Sequence, residues 1–244
     1  MAGVNLLLVE PSEVAEDVVV VAGRRADHLR AVLGATVGSR VRVGLVGGGI
    51  GTAHVIADDG ARFTLRLAIV ERARPPLAID LVLALPRPKA VTRVIETAAA
   101  FGVTRISLTN AWRVDKSYLR SPRLAPESLA HAARLGAEQG GTTHLPPITI
   151  HRRLMELLDA RWPVASPEAC LVAHPGGIAI ERAVGDGPLT IAIGPEGGWI
   201  AREVETFVAR GFVAVSLGAA ILRVETAVAA ALGQLVLLER IRRG

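Results

Sequence analysis

Between residues 79 and 240 the chain alternates between two textures, and that alternation limits the possible folds more than any other feature. Ile79 to Leu85 is a continuous apolar run, the pattern of a strand buried on both faces. Val91, Val94, Ile95, Ala98 and Ala99 then recur at helical spacing along one stripe, and Gly102 stands where such a helix would end. Val103 to Leu108 is strand-like again, and Ala125 to Gln139 is helix-like, closed by Gly140-Gly141. Further strands are expected at Ala169–Ala173, Leu189–Ile193 and Phe212–Leu217, and further helices at Ala201–Arg210 and Val224–Arg240. Strands alternating with helices predict an α/β layer around a largely parallel sheet.

The first seventy residues differ. Val41, Val43 and Leu45 alternate, Ala53, Val55 and Ala57 follow, and Phe63, Leu65, Leu67 and Ile69 alternate again. Gly47-Gly-Gly-Ile-Gly51 and Asp59-Gly60 separate these runs, which is a hairpin signature. The glycine run does not match G-x-G-x-x-G and no helical pattern follows it, so it reads as a turn and not as a phosphate loop. One short helix is expected around Ala26 to Leu33, and the whole segment reads as a small barrel or compact sheet. Glu71-Arg-Ala-Arg-Pro-Pro76 forms the joint, because two prolines enforce an extended link. The predicted division is 1–72 and 75–244.

Half of the 244 residues are apolar and mean hydropathy is +0.40, which is ample material for a core. Cys170 is the one cysteine, so the chain can build neither an internal disulfide framework nor a multi-cysteine zinc site, and it suits a reducing compartment. No metal site is expected. The apolar stretch Val4 to Val9 ends at Glu10 without a basic flank, unlike a signal peptide. Arg223 and Glu225 interrupt the most hydrophobic stretch, Phe212 to Leu238, which reads as a buried strand and helix and not as a membrane span. Net charge is +5, and Lys89 and Lys116 are the only lysines. The segment from Arg87 to Arg153 carries a net charge of +7, whereas Leu154 to Gly244 carries −2. A basic middle segment is a footprint suited to nucleic acid, although a solvated charged face has the same look.

Three loops follow strands in the second half: His174-Pro-Gly-Gly177, Gly194-Pro-Glu-Gly-Gly198 and Gly218-Ala-Ala-Ile-Leu-Arg223. In open α/β sheets ligands bind outside the carboxyl ends of the strands. Glycines there admit close backbone approach. No dinucleotide or Walker fingerprint is present, so a ligand would be held by backbone and apolar contacts.

Gly194-Pro-Glu-Gly-Gly198, followed by Leu217-Gly-Ala-Ala-Ile-Leu-Arg-Val-Glu-Thr-Ala227, resembles the RsmE family, the 16S rRNA uracil-N3 methyltransferases of the SPOUT superfamily. The resemblance spans nearly the whole chain and includes Phe101-Gly102-Val103, Glu138-Gln139 and His28 to Leu33. It implies a PUA-like β-barrel for RNA, then an α/β SPOUT domain with a deep trefoil knot. It also implies a cytoplasmic homodimer formed through the knot, acting on 16S rRNA in the small ribosomal subunit. S-adenosylmethionine (SAM) would lie bent among the knotted loops. By the same resemblance His174, Pro175, Gly194, Pro195, Glu196, Gly198, Leu217, Gly218, Ile221 and Leu222 surround the cofactor. The chain departs from the family where Glu96 to Val103 lacks a Lys and a Glu, where Gly34 replaces an Arg, and where Ile200 replaces a helix-capping hydroxyl residue while Glu203 remains.

Alkylating uracil N3 requires removal of a weakly acidic proton. Arg223 is the candidate to stabilise charge developing on the uracil oxygens, and its bland role is an ion pair with Glu225 or Glu196. Glu196 is the candidate proton acceptor, with Glu225 as its rival. Glu225 also has a bland reading, as a carboxylate favoured at a helix N-terminus. The target base must be unpaired or flipped. Arg87, Lys89, Arg113, Lys116 and Tyr118 are the candidate RNA contacts, and the last three lie in a Trp112-to-Tyr118 loop that resembles one branch of the family.

Overall fold

In the computed structural model, which describes residues 6–163, 169–185 and 187–243, the change of texture at Pro75-Pro76 is also a change of unit. One unit comprises residues 1–76 with 134–145, and the other comprises 77–133 with 146–244. The division differs from the 75–244 expectation in where the short segment 134–145 belongs. Specific pairing explains its place: Leu6 N–H donates to the Glu138 carbonyl at 2.9 Å, and Thr143 Oγ1 donates to the Gly48 carbonyl at 2.7 Å. Arg134 also pairs with Glu10. A helical stripe continuing past Ala133 gives no hint of these partners.

The first unit contains β1 (Leu7–Val9), β2 (Val14–Ala15), β3 (Val18–Ala22), helix α1 (Arg24–Ala31), β4 (Arg40–Leu45), β5 (Ile50–Asp58) and β6 (Arg62–Glu71). They form one six-stranded sheet in the order β1-β4-β5-β6-β3-β2. The pairs β4–β5 and β5–β6 are antiparallel, as the period-two pattern predicts, and the glycine run is the β4–β5 turn. Inward positions Val41, Val43, Ala53, Val55, Phe63 and Leu65 make its core with Ala26 and Leu29 of α1. Strand β1 pairs parallel with β4. Of the apolar stretch Val4–Val9, the first two residues lie outside the described residues.

The second unit contains β7 (Leu77–Ala84), α2 (Pro88–Phe101), β8 (Val103–Thr109), α3 (Pro126–Gly140, its later part grouped with the first unit), β9 (Ile148–His151), α4 (Leu154–Arg161), β10 (Ala169–Ala179), β11 (Leu189–Ile193), α5 (Ala201–Val208), β12 (Phe212–Ser216) and α6 (Val224–Arg243). Helix α2 stops at Gly102, whose left-handed backbone (φ 76°, ψ 36°) donates back to the Ala98 and Ala99 carbonyls. The sheet order is β12-β10-β11-β7-β8-β9, and every pair is parallel. Leu81, Val82 and Leu83 of β7 are fully buried, as expected of a strand covered on both faces. Strand β9 and helix α4 were not anticipated. Strand β9 has only four residues, two of them exposed, and so carries too little apolar pattern to read.

Helices α2 and α6 pack together, α5 lies on β12, and α4 lies near β8 and β9. Trp162, Phe212, Phe207 and Trp199 form a chain of aromatic contacts at centroid distances of 5.1, 4.9 and 5.0 Å. Such contacts add to simple area burial. Half of the chain's eight Phe, Trp and Tyr residues are thus gathered in one cluster. No helix among the described residues is long and apolar enough to cross a membrane.

Candidate functional site

The chain runs outward from β7 through β8 to β9, then returns to place β10, β11 and β12 on the other side. Strand β10 is flanked by the next two strands in sequence, β11 and β12, so the chain parts to either side of it. A crevice forms at the carboxyl ends of strands at such a switch. Here it is a cleft of about 480 Å³, within the range of sites for small ligands.

Its first wall is an interruption in a strand. Strand β10 follows β12 from Cys170↔Phe212 to Ala173↔Val215, and resumes at Ile178↔Val215. His174 to Gly177 are therefore looped out, with Gly176 N–H donating to His174 Nδ1 at 3.1 Å. Gly177 is required by close approach: a Cβ there would lie 2.4 Å from Val215 N and 2.5 Å from Ala214 C. The second wall turns on a Gly198 N–H to Pro195 carbonyl bond of 2.8 Å. The third begins where Ser216 Oγ donates to the Gly218 carbonyl, and α6 steadies it through Gln234 Nε2, which donates to the Leu217 carbonyl at 2.9 Å.

All ten residues expected around a cofactor line this one cleft: His174 and Pro175 on the first wall, Gly194, Pro195, Glu196 and Gly198 on the second, and Leu217, Gly218, Ile221 and Leu222 on the third. Trp199 joins them, buried, with its Nε1 lacking any partner among the described residues. Sequence reasoning passed over Trp199 and Gln234. The signal available for Gln234 was one amide in an otherwise apolar helical stretch.

The charged candidates divide. Glu196 is exposed on the second wall, and its Oε1 accepts the Arg87 N–H at 2.8 Å. Arg113 also lines the cleft, its guanidinium bonded to the Gly197 carbonyl. Arg223 is exposed between the lining residues Leu222 and Val224, and among the described residues it pairs with neither Glu225 nor Glu196. Glu225 is half-buried in the first turn of α6. Lys89 is exposed in the first turn of α2. Lys116 is exposed away from the cleft, and Tyr118 packs half-buried against the core.

Glu203 resolves the question of the α5 cap. Ile200 has no side-chain acceptor, so only half of a capping box is possible: Glu203 Oε2 accepts the Ile200 N–H at 2.9 Å. Its Oε1 accepts the Trp112 N–H at 2.8 Å, so one carboxylate ties the loop after β8 to the second wall. The cleft thus offers backbone groups and apolar surface within, with cations and a carboxylate at the edge.

A family profile described as RNA methyltransferase domain matches residues 73–236. Over 237 residues, covering 93% of this chain and 88% of the relative, the sequence is 30% identical to ribosomal RNA small subunit methyltransferase E of Treponema pallidum. It is 32% identical over 218 residues to the enzyme of that name from Mycobacterium tuberculosis, covering 80% of this chain and 79% of the relative. The fold is similar to the crystal structure of the Neisseria gonorrhoeae ribosomal RNA small subunit methyltransferase E bound to S-adenosyl methionine, with a TM-score of 0.76, 22% identity, and coverage of 96% and 98% of the two chains. The chain therefore belongs to the RNA methyltransferase family, among the ribosomal RNA small subunit methyltransferases E.

Proposed function

We propose that the chain is a SAM-dependent methyltransferase that methylates N3 of a uridine in 16S ribosomal RNA. The observation that carries this reading is the convergence of both resemblance motifs, with the looped-out His174–Gly177 segment, on one cleft. The residues fit the cofactor. The Gly177 loop leaves backbone exposed without a Cβ, the walls are mainly apolar, and the buried Trp199 N–H lacks a partner among the described residues. The ten residues placed around the cleft by resemblance would hold it. SAM supplies a methyl group activated by a sulfonium.

The chain's own residues then have three tasks. The walls fix donor and base in one orientation, which removes much of the entropic barrier. The Arg223 guanidinium, exposed beside the cleft and without an ion pair among the described residues, stabilises negative charge on the uracil oxygens as the N3 proton leaves. Glu196 takes that proton. One of its oxygens is engaged by the Arg87 N–H, and no protein donor among the described residues reaches the other. Glu225, at the helix N-terminus, has the setting of a carboxylate favoured by the dipole and is the second choice. Arg87, Lys89, Arg113 and Lys116 serve the RNA backbone, and Tyr118, being half-buried, offers only part of its ring for stacking.

The same reading takes the C-terminal unit as a SPOUT domain with a trefoil knot, supported by the third loop's position beside the looped-out segment of β10. It takes the first unit as a PUA-like barrel, supported by its six-stranded sheet, and the working form as a cytoplasmic homodimer acting on the small subunit. In support of a dimer, α6 exposes Leu237 and Ile241 four residues apart on one face.

Arg223→Ala tests the chemistry. Methyl transfer to 30S particles should fall at least ~100-fold, while SAM affinity by titration calorimetry stays within a few-fold. Near-normal turnover removes Arg223 from the mechanism. Mass spectrometric mapping of the labelled nucleoside tests uracil N3, and a methyl group on another base overturns that part.

A further inference from the structure

Strands β8 and β9 open at their carboxyl ends onto a second cavity, of about 720 Å³. Lys116, Arg120 and Arg152 bring three cations to it, and all three are exposed. None takes part in an ion pair among the described residues. Leu119, Leu124 and Ile150 supply apolar wall. Asn110, just after β8, donates its backbone N–H to the His151 carbonyl at 3.3 Å, while its side-chain Oδ1 is buried without a partner among the described residues. A buried acceptor left unpaired is costly, and a ligand donor would relieve it.

The cations are carried on an anchored loop. Asp115 accepts the Ser117 N–H at 2.8 Å and Ser121 Oγ accepts the Arg123 N–H at 3.2 Å, starting two short turns. That Ser117 N–H is also the main reason the Asp115 carboxyl sits below its ordinary pKa, so the cap persists at neutral pH. Leu124 is buried, and Tyr118 and Leu119 pack on the core. The same loop begins near Arg113, which lines the first cleft. Both cavities lie along the carboxyl edge of one parallel sheet, joined by one loop.

Unpaired cations suit phosphates, apolar walls suit the face of a base or ribose, and a buried amide oxygen suits a base-edge donor. We propose that this second cavity holds a nucleotide of the RNA strand flanking the base presented to the first cleft, with Arg120 and Arg152 on its phosphates and Asn110 on its base edge. The proposal rests on the RNA methyltransferase reading above.

The test compares wild type, the double variant Arg120→Ala with Arg152→Ala, Asn110→Ala, and Arg93→Ala, an exposed control on α2 outside both cavities. Initial rates on 30S particles separate kcat from KM, calorimetry gives SAM affinity, and fluorescence anisotropy with a labelled single-stranded RNA gives binding against salt. The double variant should raise KM for 30S at least ~10-fold with SAM affinity unchanged. Its log–log salt slope should be shallower by about 0.7 for each single-strand phosphate contact removed. Asn110→Ala should raise KM without altering the slope. A double variant indistinguishable from Arg93→Ala in KM and slope overturns the subsite while wild-type transfer leaves the enzyme reading intact. Absence of methyl transfer by wild type, to 30S particles and to naked rRNA alike, overturns the enzyme reading and the subsite with it.

Discussion

Glu203 shows how much one side chain can decide. Its carboxylate accepts the Ile200 and Trp112 N–H groups, one oxygen each, so it caps α5 and anchors the loop after β8 at once. Hydrogen bonds to a charged acceptor are stronger than neutral ones, and removing it leaves two donors without a partner. Glu203→Ala should therefore cost about 1–3 kcal/mol in urea denaturation, and Glu203→Gln less. The first bond was legible, since Glu three residues after a helix start is a capping pattern. The second was not, because Trp112 lies 91 residues away and nothing local marks it. Arg223 stands out in the sequence as a candidate, by resemblance. That it pairs with neither Glu225 nor Glu196 among the described residues depends on where α6 begins in space.

At the scale of elements, the parallel strand β10 is broken by design of its sequence. Residues 174–177 leave the ladder and form a wall of the cleft, and Gly177 passes so close to β12 that any side chain would meet backbone. Gly177→Ala must part β10 from β12. Overpacking of this kind costs about 1–3 kcal/mol, and SAM affinity should fall at least ~10-fold by calorimetry. Gly185→Ala is the control, since a Cβ there meets nothing within 4 Å, and it should leave both unchanged. Long periodic elements were readable: α2 and its Gly102 stop, β7, β11 and α6 all stand near their expected bounds. Short ones were not. Strand β9 and helix α4 are too brief and too weakly patterned for periodicity to separate them from loop.

For the whole molecule, the dimer reading makes a direct prediction. Wild type should sediment as a dimer at micromolar concentration, and Leu237→Glu combined with Ile241→Glu should yield monomer, since both side chains are more than half exposed on one face of α6. A monomeric wild type would remove the dimer from the proposal. The basic middle segment also gains meaning at this scale. Its net charge came from composition alone, but the fold sorts it: Arg113 goes to the first cleft, while Lys116, Arg120 and Arg152 go to the second cavity.

Taken alone, the sequence determined the strand–helix alternation, the joint at Pro75-Pro76 and the three loops of the cleft. Each is a local or periodic property, set by which residues can sit on a buried face or turn without a Cβ. The tertiary structure alone decided which loops share a cavity, and that the 134–145 segment belongs with the first unit. It also decided that a second cationic cavity exists at the ends of β8 and β9. Those outcomes depend on strand order. An order of β12-β10-β11-β7-β8-β9 brings together residues far apart in the chain, and no local pattern encodes that order.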